Sequence, residues 1–279
     1  MLGLGVSSIV ASTQEAGDVI GGRSSFTNTK SLSFDGVSDF AEFSANGNGN
    51  RDVFQSLLGA GSFTVSYWVK AADIVKGGNG NTVTLMNGVA TGSGLVFLNL
   101  GVIYGPSHSQ ASLRDVIQFR YQRPEGTYFN TEADHSGVTL SDDTWIHIAY
   151  TSTINGSSRD GKVYINGSVL PNNSDSNSIS GGDFSAKEEA RFPLGATFFN
   201  ASVSVFSEIS LDEIAFYNTA LTASQVSDIY NSGVPGDELA VHGNRVVGYW
   251  RLEDDGTDGS ANSNDLTVTG ATFSTSVPT

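Results

Sequence analysis

Apolar and polar positions alternate with a period of two along most of the chain, the spacing of strands that bury one face. Leu32 and Phe34 fall on one side of a first segment, with Ser31, Ser33 and Asp35 on the other. The dipeptide Asp35-Gly36 predicts a turn, and Ala41 and Phe43 resume the pattern beyond it. Phe63, Val65, Tyr67 and Val69 alternate with Thr64, Ser66, Trp68 and Lys70; large side chains on both faces predict a central strand. Strands resume at Thr82 and Leu95, and Val116 to Gln122 predicts another, with Thr127 to Asn130 paired to it. Ile146, Ile148 and Tyr150 share one face of a further strand; Trp145, His147 and Ala149 share the other. Asn166-Gly167 predicts a type I′ hairpin, because both central positions need positive φ. The runs 46–50, 77–81 and 171–182 read as polar loops, and 51–58 as a short helical turn carrying Val53, Phe54, Leu57 and Leu58.

The period changes once, between Ser207 and Gly233. Ile209 to Phe216 reads as a strand buried on both sides. Thr222 and Gln225 then stand at the spacing of a capping box, with Leu221 and Val226 as its hydrophobic staple. Val226, Ile229 and Tyr230 form one apolar stripe at helical spacing, and Gly233 is the expected left-handed stop.

These segments occur in a particular order: SLSFDGVSDFAEF (31–43), SFTVSYWVK (62–70), DTWIHIAY (143–150), KVYINGSVL (162–170), FPLGAT (192–197), then the strand, cap and helix of 207–233. The order resembles the laminin-G-like domains of the concanavalin A-like lectin/glucanase superfamily. The resemblance implies an all-β fold, an antiparallel β-sandwich (a concanavalin A-like jelly roll), with one short helix after the closing strand. It covers about residues 29–233, leaving 1–28 as an N-terminal arm and 234–279 as a C-terminal extension packed on or beside the sandwich. The extension carries VVGYWRL (246–252), an acidic Asn-rich stretch (253–265) and LTVTGATF (266–273). A sandwich followed by such a tail, and a start of the form MLGLG, resemble virion proteins of marine tailed phages. No period of 20–50 residues repeats, which argues against a propeller or solenoid.

Composition narrows the possibilities. The 279 residues carry a formal charge of −15, with 33 glycines, 38% hydrophobic and 15% charged residues. Such a charge argues against a nucleic-acid partner, which needs clustered Lys and Arg. It favours a solvated acidic surface. There are no cysteines, so no disulfide framework is available, which leans toward folding in a reducing cytoplasm. No apolar run is long enough to span a bilayer, so no membrane partner is expected. Before Arg23 there is no cation to start a signal peptide.

Candidate chemistry is sparse. The superfamily includes glucanases, which need two carboxylates facing one cleft about 5 Å apart. The nearest acids are Glu208, Asp212 and Glu213; the first two share a face, but Ser210 stands between them and Glu213 points the other way. There is no GxSxG and no HExxH, and His108, His135, His147 and His242 lack ligand spacing. His147, in mid-strand, reads as a packed core residue. The resemblance implies one possible structural calcium site, with Asp35, Asp39 and Asp212 as its ligands; turn capping by Asp35 and Asp39 is the simpler reading. Asp254, Asp255, Asp258 and Asp265 lack the glutamate of an EF-hand and read as a solvated loop. Trp68, Tyr104, Tyr121, Tyr128 and Tyr217 are the aromatics able to stack on a sugar, though strand aromatics usually pack inward.

The expected function is therefore non-enzymatic: a virion structural protein of a tailed phage, made in the host cytoplasm and carried on the particle surface as a decoration, head-fibre or tail-associated module. Met1, Leu2 and Leu4 would form its partner-binding peg on other virion proteins. Multiple copies or a homo-oligomer, and weak binding to a cell-surface glycan, are expected with it. A carbohydrate-binding lectin or adhesin is the alternative, and a glycoside hydrolase relative the least supported one.

Overall fold

The structure is a computed structural model, and it describes residues 26–43, 61–74, 83–90, 96–106, 110–122, 127–155, 158–171, 174–179, 193–199 and 202–279. The expected helical turn at 51–58 and the peg Met1, Leu2 and Leu4 lie outside these residues. In chain order the strands are β1 (Ser31–Asp35), β2 (Phe40–Phe43), β3 (Phe63–Ala71), β4 (Val83–Ala90), β5 (Val96–Tyr104), β6 (Val116–Gln122), β7 (Thr127–Asp134), β8 (Ile146–Asn155), β9 (Ser158–Ile165), β10 (Ser168–Val169), β11 (Ser174–Ile179), β12 (Thr197–Phe199), β13 (Ser202–Ser204) and β14 (Glu208–Tyr217). Helices α1 (Ala223–Tyr230) and α2 (Glu238–His242) follow, then β15 (Val246–Trp250), β16 (Leu266–Thr269) and β17 (Thr272–Ser274).

Two sheets stack as a sandwich. Sheet I has eight strands, in the order β10-β9-β8-β3-β14-β1-β17, with β15 also on β14; sheet II has seven, in the order β11-β7-β6-β5-β4-β12-β13. Among the described residues the strands pair antiparallel, except β12 with β4. The fold class is thus the expected antiparallel sandwich. Its core comes from the inward faces predicted by alternation: Phe63, Val65, Tyr67, Ile148 and Tyr150 from sheet I meet Leu85, Ile117, Phe119 and Tyr121 from sheet II. Phe119 stacks on Tyr150 at 4.4 Å, and Phe63 meets Tyr121 edge-on at 5.1 Å, geometries that add to simple burial. No helix among the described residues is long and apolar enough to cross a membrane.

Three local expectations change. Residues 174–179, read as part of a loop, form β11 and pair with β7. The segment is polar apart from Ile179, so period-two patterning does not mark it, and it lies at the edge of sheet II. The capping box and staple of α1 are present, with Leu221 and Val226 buried, but the left-handed stop is Asn231 (φ 47°) instead of Gly233. Asn tolerates this conformation, and its side chain donates to the carbonyl of Val234 at 3.0 Å. A second short helix, α2, is added after α1, capped by Asp237.

The outer face of sheet I is covered at one end. Ala149, Tyr164, Ala215 and Tyr217 pack beneath Leu221, Val226 and Ile229, with Val246 and Tyr249 beside them. Residues after 233 also enter the sheets: β15 pairs with β14, β17 with β1, and β16 with β2. The acidic stretch between them is ordered by Asp258, which is buried. Its carboxylate accepts from the backbone N–H groups of Tyr249, Ser260 and Asn264 and from the Ser260 hydroxyl. The loop expected to be solvated is therefore folded around one carboxylate.

Strand β14 has an unusual second edge. On one side it pairs with β3 along its length. On the other, β1 covers residues 208–211 and β15 covers 214–217. In the gap between them the strand bulges, with Glu213 at φ 47°. The bulge shifts the side-chain parity: Ile209 and Leu211 face the core before it, Ile214 and Phe216 after it.

Candidate functional site

The bulge decides where the expected acids go. Glu213 was expected opposite Asp212; instead both lie at the gap, buried, with exposures of 0% for Asp212 and 4% for Glu213. Asp212 accepts from the Asn28 amide at 2.8 Å and from the backbone N–H of Glu213 at 2.9 Å. The Tyr249 hydroxyl donates to Glu213, and the Arg251 guanidinium stands 3.7 Å away. Desolvation pushes Asp212 up to about 8 and Glu213 well above the carboxylate range, with the Asp212 charge adding to the rise at Glu213 and the Glu253 charge to that at Asp212. This is an adjacent pair enclosed in protein, without the open cleft that two glycosidase carboxylates must flank. Sequence periodicity assumes an uninterrupted pleat, so the bulge was not visible to it.

Asp35 and Asp39 come together, but in their own turn. Asp35 accepts from the N–H groups of Val37, Ser38 and Asp39, which hold its carboxyl below the usual value, and Asp39 accepts from the N–H of Asp35. Along the ladder Asp35 pairs with Glu208 and Leu32 with Leu211, so Asp212 lies four positions away, about 13 Å at strand rise. Among the described residues no three His, Cys, Asp or Glu side chains are grouped to hold a metal. Asp35 and Glu208 instead wall a shallow cleft of about 240 Å³ on the outer face of sheet I, floored by Ser33, Ser210 and Ala72 and closed by Lys70 and Asp143.

Of the five candidate aromatics, Trp68, Tyr121 and Tyr217 are buried. Trp68 stacks on Tyr230 (5.8 Å) and meets the tilted ring of His147 (5.2 Å), and burial lowers His147 to about 3, so it stays neutral. The side chain of Tyr128 lies outside the described residues. Tyr104 alone among the described candidates is half-buried, on the outer face of sheet II.

Around Tyr104 is a polar constellation. Strands β5, β6 and β7 are adjacent and in register, with Gln118 opposite both Val102 and Glu132, and Arg120 opposite Asn130. Because Ile117, Phe119 and Tyr121 point into the core, Gln118 and Arg120 lie on the opposite face, where Gln118 is itself covered, only 1% exposed. The Tyr104 hydroxyl donates to Gln118 at 3.4 Å; Gln118 and Asn130 each donate to the same Glu132 oxygen at 2.9 Å. Arg120 is half-buried; desolvation lowers its pKa while Tyr104 and Glu132 act to raise it. The result is a fixed set of guanidinium, carboxylate, amide and phenol groups on a rigid sheet, a mixture of donors and acceptors suited to a hydroxyl-rich ligand. Sequence reading placed Val116 to Gln122 on a strand but passed over the polar side of VIQFRYQ and TYFNTEAD. The available signal was long polar side chains facing one way on two adjoining strands.

This fold and face define a lectin-like β-sandwich. The family model of the concanavalin A-like lectin/glucanases superfamily matches residues 16–227, and the chain belongs to that superfamily. No curated protein matches the chain. Among solved structures it is similar to a candidate carbohydrate-binding protein from Bacteroides ovatus ATCC 8483, with 17% identity and a TM-score of 0.54, covering 91% of this chain and 62% of that one. It therefore spans less than two thirds of that protein's length. It is also similar to the heptameric SAP-like pentraxin of Limulus polyphemus (16% identity, TM-score 0.42, 86% and 94% covered). The CBM40 of Ruminococcus gnavus IT-sialidase follows with 11% identity, TM-score 0.40, and 73% and 99% covered. At these identities the likeness is one of fold.

Proposed function

We propose that this chain is a non-catalytic, lectin-like binding module that recognises glycans through the outer face of sheet II, and that it is displayed on the surface of a tailed-phage particle. The observation that carries the binding reading is the Tyr104–Gln118–Glu132–Asn130 network with Arg120 on one sheet face. A non-catalytic role is supported by the fate of the acids: the pair with raised pKa values is enclosed, and Asp35 is held ionised by its turn. The particle setting rests on the resemblance of the Trp, acidic and Asn-rich order after residue 233 to that of tailed-phage virion proteins. Calcium at Asp212 is not part of this reading.

A glycan array probed with the full chain, with Arg120→Ala and Glu132→Ala alongside, tests binding. Selective binding that both variants lose is the expected result; binding unaffected by either would move the site elsewhere. Immunogold labelling of intact particles tests display, and label confined to unassembled protein would reject it.

A further inference from the structure

We propose that residues 26–30 form a releasable strap that locks the gap between β1 and β15, so that release of the strap acts directly on the closing strand β14. The five residues lie in no strand and none is fully buried. They are held almost wholly by side chains from the far end of the sequence. The Arg251 guanidinium lies over the Phe26 ring at 4.3 Å and donates to the Thr27 carbonyl at 2.8 Å. Asn28 donates to Asp212. Thr29 donates to Glu253 through both its backbone N–H and its hydroxyl, and Lys30 pairs with Asp254.

What lies beneath gives the strap its function. The gap is where β14 has neither β1 nor β15 beside it, and the enclosed carboxylates Asp212 and Glu213 sit there. Glu213 Oε1 and Arg251 Nε face each other at 3.7 Å as an ion pair, and neither makes a hydrogen bond among the described residues. Closing the strap therefore keeps water from two acids that water would solvate well, and a half-satisfied polar group favours opening. The contacts that oppose opening are few, half-exposed and not cooperative with a ladder, which places the strap at the low-stability end of the fold. Because Arg251 touches both the strap and Glu213, its displacement is felt at once in the bulge.

Hydrogen–deuterium exchange on the full chain tests this, read at residues 26–31, at 211–215 and, as a control, across β6 and β7. The variants are Phe26→Ala, which removes only a half-exposed ring, and Glu253→Ala, which removes the Thr29 acceptor. Each is expected to speed exchange at 26–31 and at 211–215 together, by about tenfold or more, with β6–β7 unchanged, as for local opening. Two outcomes overturn the proposal. One is exchange at 26–31 in the unmodified chain as fast as in an open loop. The other is a variant that frees 26–31 while 211–215 stays protected.

Discussion

Tyr67 carries a buried hydroxyl that meets no hydrogen-bonding partner among the described residues, whereas the neighbouring core phenols of Tyr121 and Tyr150 pair with Ser152 and Thr131. Its oxygen lies against Gly101, whose positive φ of 67° and missing Cβ leave the space; an added methyl would stand 1.8 Å from it. Removing an orphan polar atom should not destabilise, so Tyr67→Phe is expected to hold or raise stability by about 1 kcal/mol in a denaturant titration. A clear loss would mean that the hydroxyl has a partner such as ordered water. At the same scale, Asp212 gives a pH signature. Its folded pKa of about 8 exceeds its ordinary value of 3.8, so the folded chain binds the extra proton between those limits. The stability it contributes is full below about pH 4 and drains as pH rises to about 8, by at most about 1.4 kcal/mol per unit. Asp212→Asn should flatten that fall, and its advantage over the native chain should widen with pH; parallel melting curves from pH 5 to 8 would refute the assignment. Neither residue's role was legible beforehand. Alternation placed Tyr67 in the core correctly, but hydrogen-bond satisfaction and a bulge at Glu213 are properties of neighbours far along the chain.

Elements were easier to read than their ends. Helix α1 was visible because its cap, staple and stripe are encoded within ten residues, 221–230. Thr222→Ala is expected to cost about 1 kcal/mol, as capping residues do. Ile229→Ala, from a site only 2% exposed, is expected to cost about 2–5 kcal/mol. Equal shifts in the unfolding midpoint would mean that the helix gains little from docking. The stop at Asn231 escaped notice since Gly233 offers the same conformational signal two residues later. Asp258 is the corresponding anchor for the tail. Exchanging it for Ala strands three backbone donors, and a loss of about 3 kcal/mol or more is expected by chemical denaturation. Its sequence context, one acid among several in a Gly- and Asn-rich run, does not distinguish it from a surface residue.

For the whole molecule, the two sheets and most of their strands followed from period-two patterning, while the partners of each strand did not. Patterning tells which face is buried; it does not tell that β14 has two half-length neighbours. The strap gives a test at this scale. Removing residues 1–25 should leave the melting temperature in place, since no strap contact is lost. Extending the deletion through Lys30 should lower it, because Arg251, Glu253 and Asp212 then lose their partners. Equal melting of the two truncations would show that the strap contributes nothing to the fold.

The split edge of β14 also has a consequence in time. Strand β1 is among the first made, yet its two neighbours are residues 208–211 and 272–274. While synthesis proceeds, the opening strand has nothing to pair with until most of the chain exists, and its outer flank waits for β17. Ladders closed over such separations form slowly, because the loop entropy must be met before any contact rewards it. A nascent chain halted before residue 272 exposes the edge of β1 to other unfinished copies, the situation in which strand edges aggregate. Completion of this sandwich therefore waits for β17, and deleting that strand should harm yield in cells more than it harms the stability of molecules that have already folded.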